Sequence, residues 1–158
     1  MCRGRGRGFT AIELLVTLAI AAIVLLVALP SLRPQLAAAE ARSTASDIAD
    51  ALQYARQYAL NTSNLVTFTP SGCGYTVATV GGTQLLDAGS AGGNGVSCQP
   101  IGQALSFLGD GSVALCTQGA QGLSCSPAKA TASAQVSGGG STWQVSLTPG
   151  GMISTSTS

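Results

Sequence analysis

Glu13 is the only ionisable side chain in an apolar run that extends from Phe9 to Leu29. An ionised carboxylate in hydrocarbon costs roughly 2.5–3.5 kcal/mol at the bilayer centre and less near its edge. A chain keeps such a group, by default, for a partner. Four cysteines, Cys73, Cys98, Cys116 and Cys125, form the other chemically distinctive set, while Cys2 stands apart near the amino terminus. Their spacings contain no CxxC pair, so a zinc site is disfavoured, and an even number in an exported domain points to disulfides. Four cysteines allow three pairings; Cys73 with Cys98 and Cys116 with Cys125 are favoured because each closes a local loop. The chain has no histidine. That removes Ser-His-Asp and Cys-His nucleophile pairs, the HExxH zinc site and histidine acid–base chemistry. With only six acids, an enzyme is not expected, nor is a cofactor. Neither Gly92-Gly93-Asn94-Gly95 nor Gly138-Gly139-Gly140 has the lysine of a phosphate loop or dinucleotide-binding spacing. Both read as flexible connections.

The element that must position Glu13 is the apolar run itself. From Phe9 to Leu29 it would rise about 30 Å as a helix, one bilayer core. Arg3, Arg5 and Arg7 precede it, which orients the carboxyl terminus outward. Three readings compete. A secretory signal cut after Ala37-Ala38-Ala39 is acceptable at the cut, but the run is long and holds an acid. A plain anchor explains the length and leaves Glu13 without a reason. The third reading rests on Gly8-Phe9-Thr10-Ala11-Ile12-Glu13-Leu14-Leu15. This stretch resembles the prepilin processing motif of type IV pilins and type II secretion pseudopilins. The resemblance implies cleavage between Gly8 and Phe9 by a prepilin peptidase, followed by N-methylation of Phe9. It further implies that Glu13 meets the Phe9 amine of a neighbouring subunit. Pairing two charges that are each costly in lipid would favour assembly and set axial register.

Pro30 follows the run by one residue. It removes a helix hydrogen bond and crowds the preceding turn, so a kink or loosening is expected there. Residues 35–60 then contain neither glycine nor proline. Ala41, Ala45, Ile48, Leu52, Ala55 and Ala59 recur at intervals of four and three, forming one helical stripe. Ser43, Asp47, Asp50, Gln57 and Asn61 mark the opposite side. The alanines would let a sheet approach closely. This segment, with Arg42-Ser43 and the run Asp50-Ala51-Leu52-Gln53-Tyr54-Ala55-Arg56-Gln57-Tyr58-Ala59-Leu60, is similar to the GspH/FimT group of minor pilins. Leu52, Ala55, Arg56 and Ala59 carry that likeness, as does Asn64–Pro70 for the strand after it.

Beyond residue 62, short strands alternate with turn signals. Leu65–Thr69 and Tyr75–Val80 flank one hairpin turn, and Ala104–Leu108 and Ser112–Cys116 flank another. Thr83–Asp87 and Thr142–Thr148 read as further strands, and Met152–Ser154 as a short last one. Ala88–Gly95 and 117–140 read as glycine-rich and polar, and the Ser/Thr tail from Ser154 as a frayed end. The expected fold is therefore α+β: a long amino-terminal helix, half membrane and half amphipathic, on a small antiparallel sheet body. The expected segments are a leader 1–8, an assembly helix 9–29, an amphipathic half-helix 30–61 and a β-rich domain 62–158.

The resemblance implies a minor pseudopilin or pilin anchored in a bacterial inner membrane, its body in the periplasm. Implied partners are other pilin or pseudopilin subunits, the peptidase and methyltransferase, the inner-membrane assembly platform and membrane lipid. Without residues 1–8 the side-chain charge is 4 − 6 = −2, and beyond residue 60 Lys129 is the only cation. Nucleic-acid binding needs a basic stripe, so it is not expected.

Overall fold

The computed structural model describes residues 9–89, 95–119 and 122–157, with the side chains of 26–31, 117–119 and 122–123 outside that description. The leader with Gly8, and Gly92-Gly93-Asn94 of the glycine-rich loop, lie outside it too. The chain divides into two units, Met1–Arg33 and Pro34–Ser158. Helix α1, Ala11–Thr62, contributes to both. It includes Pro30 and Pro34, neither of which has an amide hydrogen to donate to the helix.

In the first unit α1 starts on a side-chain cap. The Glu13 amide donates to Thr10 Oγ1 at 3.3 Å, and the amides of Glu13 and Leu14 reach the Thr10 carbonyl at 3.1 and 3.2 Å. The Thr10 hydroxyl thus serves a first-turn amide that has no i−4 partner, and the Thr10 carbonyl starts the helical series. Thr17, the next polar side chain, donates its hydroxyl to the Leu14 carbonyl at 2.9 Å. That bond satisfies the hydroxyl and keeps this stretch apolar outside.

Among the described residues of the second unit ten strands follow the helix. They are β1 Val66–Ser71, β2 Gly74–Thr79, β3 Gln84–Ala88, β4 Val96–Gln99 and β5 Leu105–Phe107, then β6 Val113–Gly119, β7 Gly122–Pro127, β8 Ala132–Gly138, β9 Ser141–Leu147 and β10 Ile153–Thr157. They form two antiparallel sheets, ordered β3-β2-β1-β5-β6-β7 and β10-β9-β8-β4. The helix stripe is buried as its spacing predicts: Ala41, Leu52, Ala55 and Ala59 are fully enclosed. It shares one core with Val66, Phe68, Val77, Leu105 and Phe107 of the larger sheet and Val136, Val145 and Leu147 of the smaller. The architecture is the expected α+β arrangement of a long helix and antiparallel sheets, consistent with a type IV pilin-like fold.

Three expectations for the body need correction. The polar, glycine-rich 117–140 stretch is not merely connecting chain: it holds the end of β6 and all of β7 and β8. Ser154–Thr157 is not a frayed end, because β10 pairs with β9 from Ile153↔Leu147 to Thr157↔Trp143. Gly139-Gly140 is not a loose linker but the turn between β8 and β9, with φ of 58° and 83°. Positive φ at both central residues is the requirement of a type I′ hairpin, which glycine meets at least cost.

Two disulfides tie the body: Cys73–Cys98 and Cys116–Cys125. The first joins the β1–β2 turn to β4 and so crosses between the sheets. The second links directly opposed residues within the β6–β7 hairpin. A closed loop of this size contributes about 3 kcal/mol by restricting the unfolded chain. Cys73→Ala with Cys98→Ala should therefore lower the denaturation midpoint more than the matching Cys116/Cys125 double variant. The inter-sheet pair closes a separation of 25 residues against 9. Equal midpoints would count against a cross-sheet role for the first bridge.

Candidate processing and assembly site

The site is built on one turn of helix. Thr10 sits at the cap and Glu13 three residues on, the spacing at which an acid can reach back to the cap residue's own amide. An acid in the first turn also faces the positive end of the helix dipole. Either local effect would draw on the same carboxylate as a partner from outside the chain. Its side chain is exposed, so it is available to a group from outside the chain.

The surface around Glu13 is apolar on every side. Phe9 is 77% exposed, Ile12 71% and Leu15 66%. Leu14, Val16, Leu18, Ile20, Ile23, Val24 and Leu25 are exposed as well. No stripe is buried and none is polar, which is how a helix looks when its neighbours are lipid or other helices. Among the described residues no helix is long and apolar enough to cross a membrane. The apolar run Phe9–Leu29 passes at residue 26 into side chains outside that set.

The structure gives the residues of the second resemblance definite positions. Leu52, Ala55 and Ala59 lie in the core. Arg56 lies between them and solvent, half-buried, and donates from Nε to the Gly111 carbonyl at 3.3 Å. Gly111 lies in the β5–β6 turn and Gly151 in the β9–β10 turn. A side chain at Gly151 would strike both the Gly111 carbonyl and Arg56. Arg56 thus sits where one turn from each sheet meets α1. A further bond, from the Val113 amide to the Pro149 carbonyl at 3.0 Å, ties the same two turns.

Two features escaped the sequence reading. Arg42 lies over the Trp143 ring, 5.6 Å from its centroid, a favourable cation–aromatic contact between α1 and β9. The sequence signal for it is that Trp143, Val145 and Leu147 occupy every second position of one strand. The second is the seat of the β8–β9 hairpin on α1. A Cβ at Gly138 would lie 3.0 Å from the Ala41 Cβ, and one at Gly139 would lie 2.8 Å from the Ala38 amide nitrogen. Gly95 approaches the Ala37 Cβ in the same way, at 3.3 Å.

Among the described residues no group of histidine, cysteine or acidic side chains could hold a metal ion. The arrangement offers instead a capped, exposed, apolar helix start with one carboxylate. No curated protein and no solved structure matches the chain. Residues 3–29 match the family model of the prokaryotic N-terminal methylation motif, a stretch that contains the Gly8–Phe9 junction, Glu13 and the whole apolar run.

Proposed function

We propose that this chain is a minor pseudopilin of a type II secretion pseudopilus, which primes or caps the filament used for protein export. The observation that carries the reading is the methylation-motif match over residues 3–29, on a helix whose side chains around Glu13 are exposed and apolar. In this account a prepilin peptidase cuts after Gly8 and Phe9 becomes the methylated amino terminus. The apolar run holds the subunit in the inner membrane until it joins other pilin-like subunits. The placement of Leu52, Ala55, Arg56 and Ala59 supports the GspH/FimT-like assignment, since the three apolar residues seat the sheets and Arg56 clasps their turns. The protein is then a substrate of processing enzymes and not itself an enzyme.

A minor type IV pilin that primes a retractile fibre would use the same amino-terminal residues. The two roles separate by complementation: the chain should restore export in a secretion strain lacking its minor pseudopilin, and not fibre assembly in a pilus strain. A DNA-uptake role of the FimT kind is disfavoured. Pro149-Gly150-Gly151-Met152-Ile153 has no arginine where that group carries a Gly-Arg pair.

The processing step is tested by mass spectrometry of the mature chain. The expected amino terminus is Phe9 carrying one methyl group. Gly8→Ala should slow the cut mildly and Gly8→Leu should block it, because the peptidase must admit the side chain at the cut. An amino terminus after Ala39, or an unprocessed chain in a strain with an active peptidase, would overturn the reading.

A further inference from the structure

The second unit carries an unpaired strand edge beside a groove. Among the described residues β10 ends the smaller sheet and pairs only with β9. Between it and α1 runs a cavity of about 280 Å³ lined by Arg42, Ala45, Ala49 and Asp50 of the helix and by Ser154 and Thr155 of the strand. A second cavity of about 390 Å³ continues it towards Arg56 and Leu60, and the two share Gln53 and Ile153. Ala45 and Ala49 are buried and form the floor of the first cavity, while Arg42, Ser46 and Asp50 of the helix are exposed along its rim.

Edge strands are usually defended against pairing by charge, proline, bulges or shortness. The other three edges show such devices. β3 carries Asp87, and its pairing with β2 has a register shift at Val77/Ala78. β4 has four residues and is tied by Cys98. β7 ends in Pro127 and is tied by Cys125. β10, Ile-Ser-Thr-Ser-Thr, has no charge, no proline and no glycine.

The charge of the groove states the partner's chemistry. Residues 34–158 hold three cations (Arg42, Arg56, Lys129) and five acids (Glu40, Asp47, Asp50, Asp87, Asp110), a net of 3 − 5 = −2. Two of those cations line the groove and only one of the acids, Asp50, does. We infer that this groove binds an extended, acid-bearing peptide segment of a partner protein, which adds to the smaller sheet as a strand beside β10. The backbone supplies pairing, and Arg42 receives the carboxylate. The inference goes beyond the proposed function and involves none of Gly8, Phe9 or Glu13, so either can fail alone.

Trp143 is the only tryptophan and lines the groove, so its fluorescence reports occupancy. The probe is a synthetic acetylated and amidated heptapeptide alternating threonine and valine about a central aspartate. It is titrated into the full chain in detergent micelles. The expected result is a saturable change. N-methylation of alternate peptide amides, which removes strand pairing, should weaken binding about tenfold or more. Arg42→Glu should do the same and should reverse the preference towards a peptide with lysine in place of aspartate. No saturable change, equal binding of the N-methylated peptide, an unchanged preference in Arg42→Glu, or a change seen only with an oligonucleotide would each overturn the proposal.

Discussion

Glu13→Ala is expected to leave cleavage after Gly8 intact while cutting incorporation into filaments by about tenfold or more. Tenfold corresponds to about 1.4 kcal/mol, well below the 3–5 kcal/mol typical of breaking one partner out of a buried ion pair. The lower figure suits a pair near the membrane edge, where part of the solvation cost is spared. The structure adds a rival explanation that must be separated from this one. Glu13 stands three residues after the Thr10 cap, whose hydroxyl already accepts from the Glu13 amide. Losing a capping acid costs a few tenths to about 1 kcal/mol by itself. Glu13→Gln distinguishes the two, because glutamine can serve a capping box but carries no charge. If Glu13 meets a neighbour's ammonium, Gln fails almost as badly as Ala. If Glu13 only caps α1, Gln restores incorporation, and the assembly role is lost. The measurement is the ratio of filament-bound to membrane-bound mature subunit at equal expression.

This part of the molecule was the most legible in the sequence, for a physical reason. An acid within an apolar run and a helix stripe are both local patterns. The spacing of Ala41, Ala45, Ile48, Leu52, Ala55 and Ala59 exposes a core face directly, and all six are buried. The body was less legible because its strands are made of small residues. In β8 the buried positions are Ala134, Val136 and Gly138: the period of two is present, but alanine and glycine give it little hydrophobic contrast. β10 has no buried residue at all. Its pairing with β9 is made by the backbone, which is the same in every sequence, so Ser154–Thr157 looks like a tail. The seat of the β8–β9 hairpin on α1 lies about a hundred residues away in the chain, and a run of three glycines carries no mark of what it touches.

That glycine run yields the second large effect. Gly138→Ala, Gly139→Ala and Gly140→Ala should destabilise the body to three different extents. At Gly140 φ is +83° and nothing lies within 4 Å of an added Cβ. The substitution there carries the left-handed backbone penalty alone, roughly 1–2 kcal/mol. At Gly138 φ is not in the left-handed region, and the penalty is steric. A Cβ there would run into the Ala37 carbonyl and lie 3.0 Å from the Ala41 Cβ, and forcing such contacts costs about 1–3 kcal/mol. Gly139 combines both terms. Its φ is +58°, and its Cβ would strike the Pro34 carbonyl with the Ala38 amide 2.8 Å away. The sum, about 2–5 kcal/mol, is a large share of the 5–15 kcal/mol that holds a domain together. The offending atoms are helix backbone, which cannot turn aside as a side chain can. Relief therefore requires the hairpin to lift from α1 or the helix to give way at Pro34–Ala38. Chemical denaturation should rank the midpoints Gly140→Ala highest, Gly138→Ala between and Gly139→Ala lowest. If Gly140→Ala proves as damaging as Gly139→Ala, the turn conformation matters and the contact with α1 does not. A harmless Gly138→Ala would mean that β8 does not rest on Ala37 and Ala41 as the structure places it.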